Sequence, residues 1–232
     1  MWDAPPGVKA GSVETAVLGS EDGLYRCPWG VSPPEYRHYH DAEWGRPVAD
    51  ERAVFEKLCL EGFQAGLSWL TVLRKREAFR SAFAGFEPAV VALFGAGDVA
   101  RLLQDASIIR HRGKVEAVIA NARAFLRLQA DGTSLAGVLW SYEDEAVAQG
   151  ARGRAGQVPQ GLDEVPAHVP AAVALSRWLR RAGFRYVGPT TVYSAMQALG
   201  VVDDHLAGCS ARSRAEAERA CFARPGLQLQ DR

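Results

Sequence analysis

The segment GFRYVGPTTVYSAMQALG, residues 183–200, decides the fold because it joins two helices through a short connection that contains glycine and proline. Proline fits the first turn of a helix, and glycine commonly follows the last turn. The first helix is therefore predicted from Pro170 to Gly183, and the second from Pro189 to Gly200. The stretch FRYV in the connection could form a strand, but no alternating partner strand is visible elsewhere in the sequence. The sequence thus predicts a compact helical hairpin.

Such a hairpin can bind DNA without reading its sequence. Backbone N–H groups in the turn, near the N-terminus of the second helix, can hold a phosphate. Gly188 and Pro189 stand at this position. Viewed alone, glycine after one helix and proline at the start of the next also describe an ordinary helix connection.

The rest of the chain carries helix signals as well. Capping residues precede runs in which apolar side chains recur at three- and four-residue steps. Helices are predicted to begin near Asp50, Ser68, Pro88, Asp98 and Gly113. We therefore predict an all-α fold.

This helical pattern sets the predicted domain boundaries. Residues 1–23 are rich in glycine, proline and small residues, which predicts a loosely ordered N-terminal extension. The domain proper covers residues 24–210, and its charged, glycine-rich segment at residues 141–165 is predicted to be a surface loop. Residues 211–232 are predicted to form a C-terminal tail, which could begin with a short helix.

The composition is that of an ordinary globular protein. The 232 residues, of which 48% are hydrophobic, are enough to bury one sizeable core. No stretch approaches the ~20 apolar residues of a membrane span, and the N-terminus lacks a basic region followed by an apolar one. We expect a soluble, cytoplasmic protein with no membrane partner.

The formal net charge is zero, so a nucleic-acid partner would need a local basic surface. Basic residues do cluster in three segments: Arg74, Lys75, Arg76 and Arg80; Arg110, His111, Arg112 and Lys114; and Arg177, Arg180, Arg181 and Arg185. Each cluster alone also fits a solvated helix face.

The cysteines and histidines leave metal binding open. Four cysteines in a chain without a secretion signal argue against a disulfide framework. Cys27 and His40 are separated by twelve residues, and His205 and Cys209 by three. Thiolate and imidazole suit Zn²⁺, and four protein ligands leave no position for water, so this set would make a structural site. The spacing alone leaves competing ligands open: His38 and Cys221.

Glu61 lies in an apolar run, CLEGFQAGLSW, residues 59–69. A carboxylate among aromatic side chains is desolvated and would bind a cationic, planar ligand that stacks on a nearby indole such as Trp69. Alternatively, Glu61 is a helix-terminal residue that accepts hydrogen bonds from exposed backbone N–H groups. Aromatic side chains are also dense near the N-terminus: Tyr25, Trp29, Tyr36, Tyr39 and Trp44. Some could stack on a base, although core packing is the usual role.

Six segments of the chain resemble the signature blocks of the 3-methyladenine DNA glycosylase I family, in the order of that family. They are CPWG (27–30), YRHYHDAEWGRPVADE (36–51), LCLEGFQAGLSWLTVLRKRE (58–77), ASIIRHRGKVEAVIANA (106–122), GFRYVGPTTVYSAMQALG (183–200) and VVDDHLAGC (201–209). Several consecutive blocks with compatible separations are far more specific than any single motif.

The resemblance implies a helix-hairpin-helix fold in which a structural zinc joins the N- and C-terminal parts of the domain. The implied zinc ligands are Cys27, His40, His205 and Cys209. The hairpin at Gly188 and Pro189 is implied to grip the DNA backbone.

The resemblance also implies a pocket for a damaged base. Glu61 is the implied catalytic residue, which hydrogen-bonds the adenine, while Tyr39 and Trp69 stack on it. Further wall residues are expected to be Trp29, Tyr36 and Trp44.

The implied reaction is hydrolysis of the N-glycosidic bond of 3-methyladenine, with 3-methylguanine as a second possible base, in alkylated double-stranded DNA. Methylation at N3 makes adenine cationic and weakens the bond, so flipping and binding the base matter more than strong acid catalysis. The family is monofunctional, which implies neither a lysine Schiff base nor strand cleavage. We expect the protein to act as a monomer.

Asp203 and Asp204 follow the hairpin, in the neighbourhood where many other helix-hairpin-helix glycosylases carry an essential aspartate. The adjacent implied zinc ligand His205 favours instead a role in orienting the metal site or capping a helix.

Two other functions compete with base excision. The first is a zinc-containing DNA-binding module that has lost excision, against which the combination of Glu61, Tyr39 and Trp69 argues. The second is a structural zinc protein that binds no DNA, against which the basic clusters and the hairpin argue.

Overall fold

The computed structural model describes residues 17–150 and 158–228, and this part of the chain is mostly helical. The helices are α1 (Pro34–Ala42), α2 (Glu51–Gln64), α3 (Trp69–Arg74), α4 (Arg76–Ala82), α5 (Pro88–Val91), α6 (Ala96–Gln104), α7 (Arg112–Ala130), α8 (Leu135–Trp140), α9 (Glu143–Ala148), α10 (Pro170–Arg181), α11 (Pro189–Ala198) and α12 (Ser210–Cys221). Short 3-10 turns lie at Pro28–Gly30, Ala84–Phe86 and Leu162–Glu164. None of the described helices combines the length and the apolar character needed to cross a membrane.

The prediction of a helical fold is confirmed, but the all-α assignment needs one correction. Two short strands, β1 (Leu18–Gly19) and β2 (Tyr25–Arg26), form an antiparallel pair. Gly23, with a φ of 76°, turns the chain between them. Each strand has only two residues, too few for an alternation of apolar and polar side chains to reveal it in the sequence.

Several helices begin at residues that satisfy the free N–H groups of the first turn. Asp50 Oδ1 accepts a hydrogen bond from Ala53 N at 2.8 Å at the start of α2. Ser68 Oγ accepts one from Thr71 N at 3.3 Å at the start of α3. A side-chain cap of this kind stabilises a helix by about 1 kcal/mol. Both helix starts agree with the sequence prediction.

Helix α2 is the centre of the fold because it packs against α7, α8 and α11. Its apolar face is fully buried through Val54, Phe55, Leu58 and Phe63. Burying one such side chain stabilises the fold by roughly 1.5–3 kcal/mol. Because Glu61 lies on the same helix, this core also fixes the position of its carboxylate.

Helices α10 and α11 pack against each other through a short connection. Gly183 has a φ of 101°, a left-handed conformation that favours glycine. Two neighbouring side chains hold the connection: Asn121 Oδ1 accepts a hydrogen bond from Arg185 N at 2.7 Å, and Ser176 Oγ donates one to Val187 O at 2.6 Å. The FRYV stretch forms no strand, so the connection is a turn between two helices.

The predicted extension and loop contain regular structure in their described parts, and the predicted tail begins with a short helix, as the sequence allowed. Parts of them, residues 1–16, 151–157 and 229–232, lie outside the described residues. Within the predicted loop, α9 carries three acidic residues in its first turn, a charge distribution that stabilises a helix N-terminus. The predicted tail contains α12, and beyond it Leu227 O accepts a hydrogen bond from Ser134 N at 2.9 Å. The C-terminal segment is thus packed against the start of α8.

Candidate active site

A cavity of about 360 Å³ lies between α1, α2 and α3 on one side and α11 on the other. The structure brings together at this cavity all six side chains predicted to hold a base. They are Trp29, Tyr36, Tyr39, Trp44, Glu61 and Trp69. The space is of the size and largely aromatic character of a small-molecule site.

The aromatic side chains form a continuous wall. Tyr39 and Trp69 have ring centroids 5.4 Å apart, with their planes tilted by 46°. Trp29 packs edge-on against Tyr36 at 5.9 Å and against Trp44 at 5.0 Å. Edge-to-face packing of this kind fixes ring orientation, so the wall is formed before a ligand arrives.

Glu61 lines this cavity, and one of its carboxylate oxygens makes no hydrogen bond within the described part of the chain. Its side chain is only 4% exposed, and its Oε1 lies 3.0 Å from Lys57 Nζ. Its Oε2 is buried and has no hydrogen-bond partner among the described residues. Burial raises the pKa of Glu61, while the charge and the hydrogen bond of Lys57 act in the opposite direction. Within the described ranges the carboxylate therefore caps no helix, and it is available to a ligand that donates hydrogen bonds.

Trp69, which lines the same cavity, carries a hydrogen-bond donor. Its indole Nε1 is buried and likewise has no hydrogen-bond partner in the described part of the chain. A buried polar atom without a partner is destabilising, and such atoms concentrate where a ligand or water completes the bonding. Glu61 and Trp69 together thus offer both an acceptor and a donor.

Asp203 and Asp204 face different neighbours. Asp204 lines the cavity, where its Oδ2 accepts hydrogen bonds from Tyr193 Oη at 2.5 Å and from Gln197 Nε2 at 2.8 Å. Burial raises the pKa of Asp204 to about 7, against the effect of these two bonds. Asp203 Oδ1 instead lies 2.8 Å from His205 Nδ1, where it can orient that ring.

A buried group of cysteine and histidine side chains lies next to Trp44. The ligand atoms of Cys27, His40 and Cys209 lie within 4.8 Å of one another, so this group could hold a metal ion. His205, the fourth predicted ligand, is not part of that group, but its ring centroid is 5.0 Å from that of His40. Its Nε2 is buried without a hydrogen-bond partner among the residues described.

The surroundings of this group favour a thiolate and oriented imidazoles. The hydrogen bond between the two thiols raises the pKa of Cys27 and lowers that of Cys209. His40 Nδ1 lies 2.8 Å from Asp41 Oδ1, and Arg26 in turn donates hydrogen bonds to Asp41. A carboxylate at Nδ1 leaves the Nε2 of the ring to face the cysteines.

The basic clusters differ in how far their charge is compensated. The first cluster is largely neutralised by ion pairs: Arg74 with Glu35, Arg76 with Glu43, and Arg80 with Glu56. The third cluster is exposed and forms no ion pair within the described ranges: Arg177, Arg180, Arg181 and Arg185. Gly188 is the N-cap residue of α11, and a Cβ built on it would lie 3.8 Å from Arg180 Nη2. Uncompensated positive charge therefore lies at the hairpin.

Sequence reasoning missed Lys57 and the contribution of α11. Lysine and glutamate four residues apart share one helix face, which was a usable signal for Lys57, but this spacing usually marks an exposed pair. Tyr193 and Gln197 line the cavity from α11, and nothing in the sequence placed that helix opposite Glu61. Tyr25, grouped with the aromatic residues in the sequence, lies on β2 with 54% of its surface exposed and is not among the cavity residues.

Known proteins are similar in sequence to this protein over most of the chain. A family model described as methyladenine glycosylase matches residues 29–213. The DNA-3-methyladenine glycosylase 1 of Escherichia coli (strain K12) is 47% identical over 188 residues, which cover 80% of this chain and 96% of the relative. The DNA-3-methyladenine glycosylase of Haemophilus influenzae is 42% identical over 188 residues, which cover 81% of this chain and 98% of the relative.

The structural similarity agrees with the sequence similarity. The 3-methyladenine DNA glycosylase I of Staphylococcus aureus, solved to explain its recognition of 3-methyladenine, superposes with a TM-score of 0.72 at 38% identity. The match covers 81% of this chain and 96% of that protein. The residues matched by the family model include the aromatic wall, Glu61 and the hairpin. The chain therefore belongs to the methyladenine glycosylase family.

Proposed function

We propose that this protein is a base-excision repair enzyme that hydrolyses the N-glycosidic bond of 3-methyladenine in alkylated double-stranded DNA. The observation that carries the proposal is the free, buried Oε2 of Glu61 at a cavity walled by Tyr39 and Trp69. The relatives from Escherichia coli and Haemophilus influenzae are named for this activity. One chain supplies every residue of the cavity, and we propose that it acts as a monomer.

The burial of Glu61 requires the base to leave the double helix. A base within the stack cannot reach a carboxylate that is 4% exposed, whereas a flipped base can enter a cavity of about 360 Å³. There it would stack on Tyr39 and Trp69, and each such stacking contact contributes about 1–3 kcal/mol. Stacking accepts any base, so the choice of base must come from polar contacts.

Glu61 supplies that choice through charge. The N3-methylated adenine is cationic, and a carboxylate oxygen both accepts hydrogen bonds from the adenine edge and favours a positive ligand. The bond between C1′ of the sugar and N9 of the base breaks, and its electron pair neutralises the departing base. Water then forms the new bond to C1′ and loses a proton. Lys57 lines a different cavity from Glu61, in keeping with hydrolysis rather than a lysine Schiff base.

We infer that a structural zinc ion is held at the cysteine–histidine group. The proposed ligands are Cys27, His40, His205 and Cys209. In support, His40 Nε2 lies 3.5 Å from Cys209 Sγ, and His205 Nε2 is buried without a partner among the described residues. Each histidine also presents Nδ1 to an aspartate, the arrangement common for zinc-bound histidine. Four protein ligands would leave no open position, so the metal would supply stability rather than chemistry.

We further propose that α10, α11 and their connection form a helix-hairpin-helix that grips the DNA backbone. The N-terminus of α11, at Gly188 and Pro189, can offer backbone N–H groups to a phosphate. The exposed, uncompensated arginines of the third basic cluster lie on α10 and in the connection. Contacts of this kind position the enzyme without selecting a sequence.

Incubation of the protein with methylated DNA tests the activity, with chromatographic identification of the released bases. We expect 3-methyladenine to be released, and the same chromatogram measures any 3-methylguanine. The matched control is Glu61→Gln, which keeps the shape of the side chain. Binding to abasic DNA without release of any base would support the non-enzymatic DNA-binding module instead. Failure to bind DNA at all would support a purely structural zinc protein.

A further inference from the structure

One ammonium group contacts all three side chains assigned to the base. Lys57 lies on α2 one turn before Glu61, its side chain is 12% exposed, and its Nζ lies 3.0 Å from Glu61 Oε1. The same Nζ donates a hydrogen bond to Tyr39 Oη at 2.5 Å. It also lies 3.7 Å from the centroid of a Trp69 ring, a cation–π distance.

Lys57 makes these contacts from behind the aromatic wall. A second cavity of about 360 Å³ is lined by Lys57, Tyr39 and Trp69. The base cavity shares the two aromatic residues and contains Glu61 in its lining. The ammonium therefore holds the three side chains on the side away from the base and leaves their other faces to a ligand.

We propose that Lys57 is a positioning residue, which holds Glu61 by Oε1 so that Oε2 faces the base, and which fixes Tyr39 and Trp69 for stacking. This inference rests on the proposed excision of 3-methyladenine. Glu61 Oε2 has no partner among the described residues, so Lys57 is the group that orients this carboxylate. A catalytic group of this kind works only when its own conformation is fixed by neighbours.

Lys57 also stabilises the charged form of Glu61. Burial raises the pKa of Glu61, and Lys57 opposes this through its charge and its hydrogen bond. Burial lowers the pKa of Lys57 itself, and Glu61 opposes that change. Two other charged groups act on Lys57: Glu43, directly after α1, and Arg76, on α4, which form an ion pair with each other. The phenol of Tyr39 stays neutral, because burial raises its pKa well above the usual value.

Two substitutions separate the hydrogen bond of Lys57 from its charge. Lys57→Gln keeps a hydrogen-bond donor without the charge, and Lys57→Met removes both. Arg101→Met is the control, because it breaks an exposed ion pair with Asp98 on a helix that lines neither cavity. Single-turnover release of 3-methyladenine is measured for each protein across the pH range in which its melting curve shows it folded.

Both Lys57 variants should lose activity first at low pH. Without the ammonium, Glu61 takes up a proton at higher pH, so the acidic limb of the rate profile should move upward by about one pH unit or more. Above that limb, Lys57→Gln should regain the wild-type rate, whereas Lys57→Met should keep a residual loss because Glu61 is no longer held. The Arg101→Met profile should match the wild type. A purely structural lysine would lower the rate at every pH without moving the limb.

Two further measurements make the outcome decisive. Adding Lys57→Met to Glu61→Gln should reduce the rate by a smaller factor than Lys57→Met does in the wild type, because the part of its effect that acts through the carboxylate is already lost. NMR of ¹³C-labelled glutamate carboxyls follows the titration of Glu61 without any need for activity, and its midpoint should rise in both Lys57 variants. The inference is overturned if neither the acidic limb nor the Glu61 titration moves in the Lys57 variants. It is also overturned if Lys57→Met lowers the rate by the same factor in the Glu61→Gln protein as in the wild type. A wild-type chain that releases no 3-methyladenine overturns the proposed function instead, and the NMR titration still decides the control of Glu61 by Lys57.

Discussion

Glu61 is the residue at which a minimal change should have the largest effect on excision. Its Oε2 is buried and without a partner in the part of the chain that is described. Glu61→Gln keeps the shape of the side chain but removes the charge that favours a cationic base. The loss should be about 1.5–3 kcal/mol of transition-state stabilisation, the contribution of a hydrogen bond to a charged group. Single-turnover release of 3-methyladenine measures it, with the fold and binding to undamaged DNA near wild type.

Asp204 provides the comparison for this prediction. Its carboxylate lines the same cavity, but it already accepts hydrogen bonds from Tyr193 and Gln197. We therefore expect Asp204→Asn to reduce release less than Glu61→Gln at equal folded concentration. The reverse order, with Asp204→Asn abolishing release and Glu61→Gln mild, would transfer the essential role to Asp204.

For individual residues, the sequence predicted which side chains line the cavity but not the contacts that hold those side chains in place. Glu61, Tyr39 and Trp69 stand out as a carboxylate and aromatic residues in matching blocks, and one cavity contains them all. The signal for Lys57 is ambiguous, because a lysine one turn before a glutamate fits an exposed helix face equally well. Its burial depends on Tyr39 and Trp69, which reach it from α1 and α3. Contacts of this kind, between different helices, cannot be predicted from the residue pattern of one helix.

The hairpin is the element through which we expect DNA to be bound. Gly188 has a φ of −65°, and a Cβ placed on it would have no atom closer than 3.8 Å, so the fold tolerates a larger residue there. Gly188→Leu should weaken binding to damaged and undamaged DNA alike, because it blocks the approach of a phosphate. Gel shifts or anisotropy titrations at fixed salt measure this effect.

A second helix start supplies the control for the hairpin. Gly95 is the N-cap residue of α6 and also has open space around it, so Gly95→Leu makes the same change away from the hairpin. It should leave DNA affinity unchanged. Equal affinities for the wild type and Gly188→Leu would reduce the hairpin to a structural connection.

Helix α8 should be sensitive to one added methyl group. A Cβ on Gly137 would overlap the carbonyl of Gly226 in the C-terminal segment. Gly137→Ala should therefore displace that segment and destabilise the protein by about 1–3 kcal/mol. Gly97→Ala in α6 meets no atom within 4 Å and should be neutral or stabilising by up to about 1 kcal/mol. Denaturant unfolding distinguishes the two, and equal stabilities would show that the C-terminal segment does not hold α8.

The elements that the sequence predicted best are those with capping residues and apolar periodicity. Asp50 and Ser68 start α2 and α3 as expected, since a cap is a local interaction between residues two or three positions apart. The strands β1 and β2 and the short helix α9 were not predicted. Two-residue strands show no alternation, and α9 has only six residues in a glycine-rich segment, so none of them is long enough to show a periodic pattern.

At the scale of the whole molecule, we expect the cysteine–histidine group to raise the thermal stability of the fold. It joins α1 and the segment before it to the start of α12, because Cys27 and His40 lie beside Cys209. Cys209→Ser should lower the zinc content and the melting temperature together, since binding a structural metal is coupled to folding. Cys221→Ser, at an exposed cysteine, should change neither. Native protein without zinc by elemental analysis, or a Cys209→Ser protein with wild-type zinc and melting temperature, would contradict the metal assignment.

The cysteine–histidine group also sets when, during translation, the two ends of the domain can come into contact. His40 and Cys209 are 169 positions apart, and Cys209 is the last of the four proposed ligands to be translated. At about 5–20 residues per second, a growing chain carries Cys27 and His40 for roughly 8–34 s before Cys209 exists. A chain released before Cys209 would contain nearly the whole base cavity but not the contact that closes the domain. This contact can therefore form only after translation has passed Cys209, later than every residue that lines the base cavity.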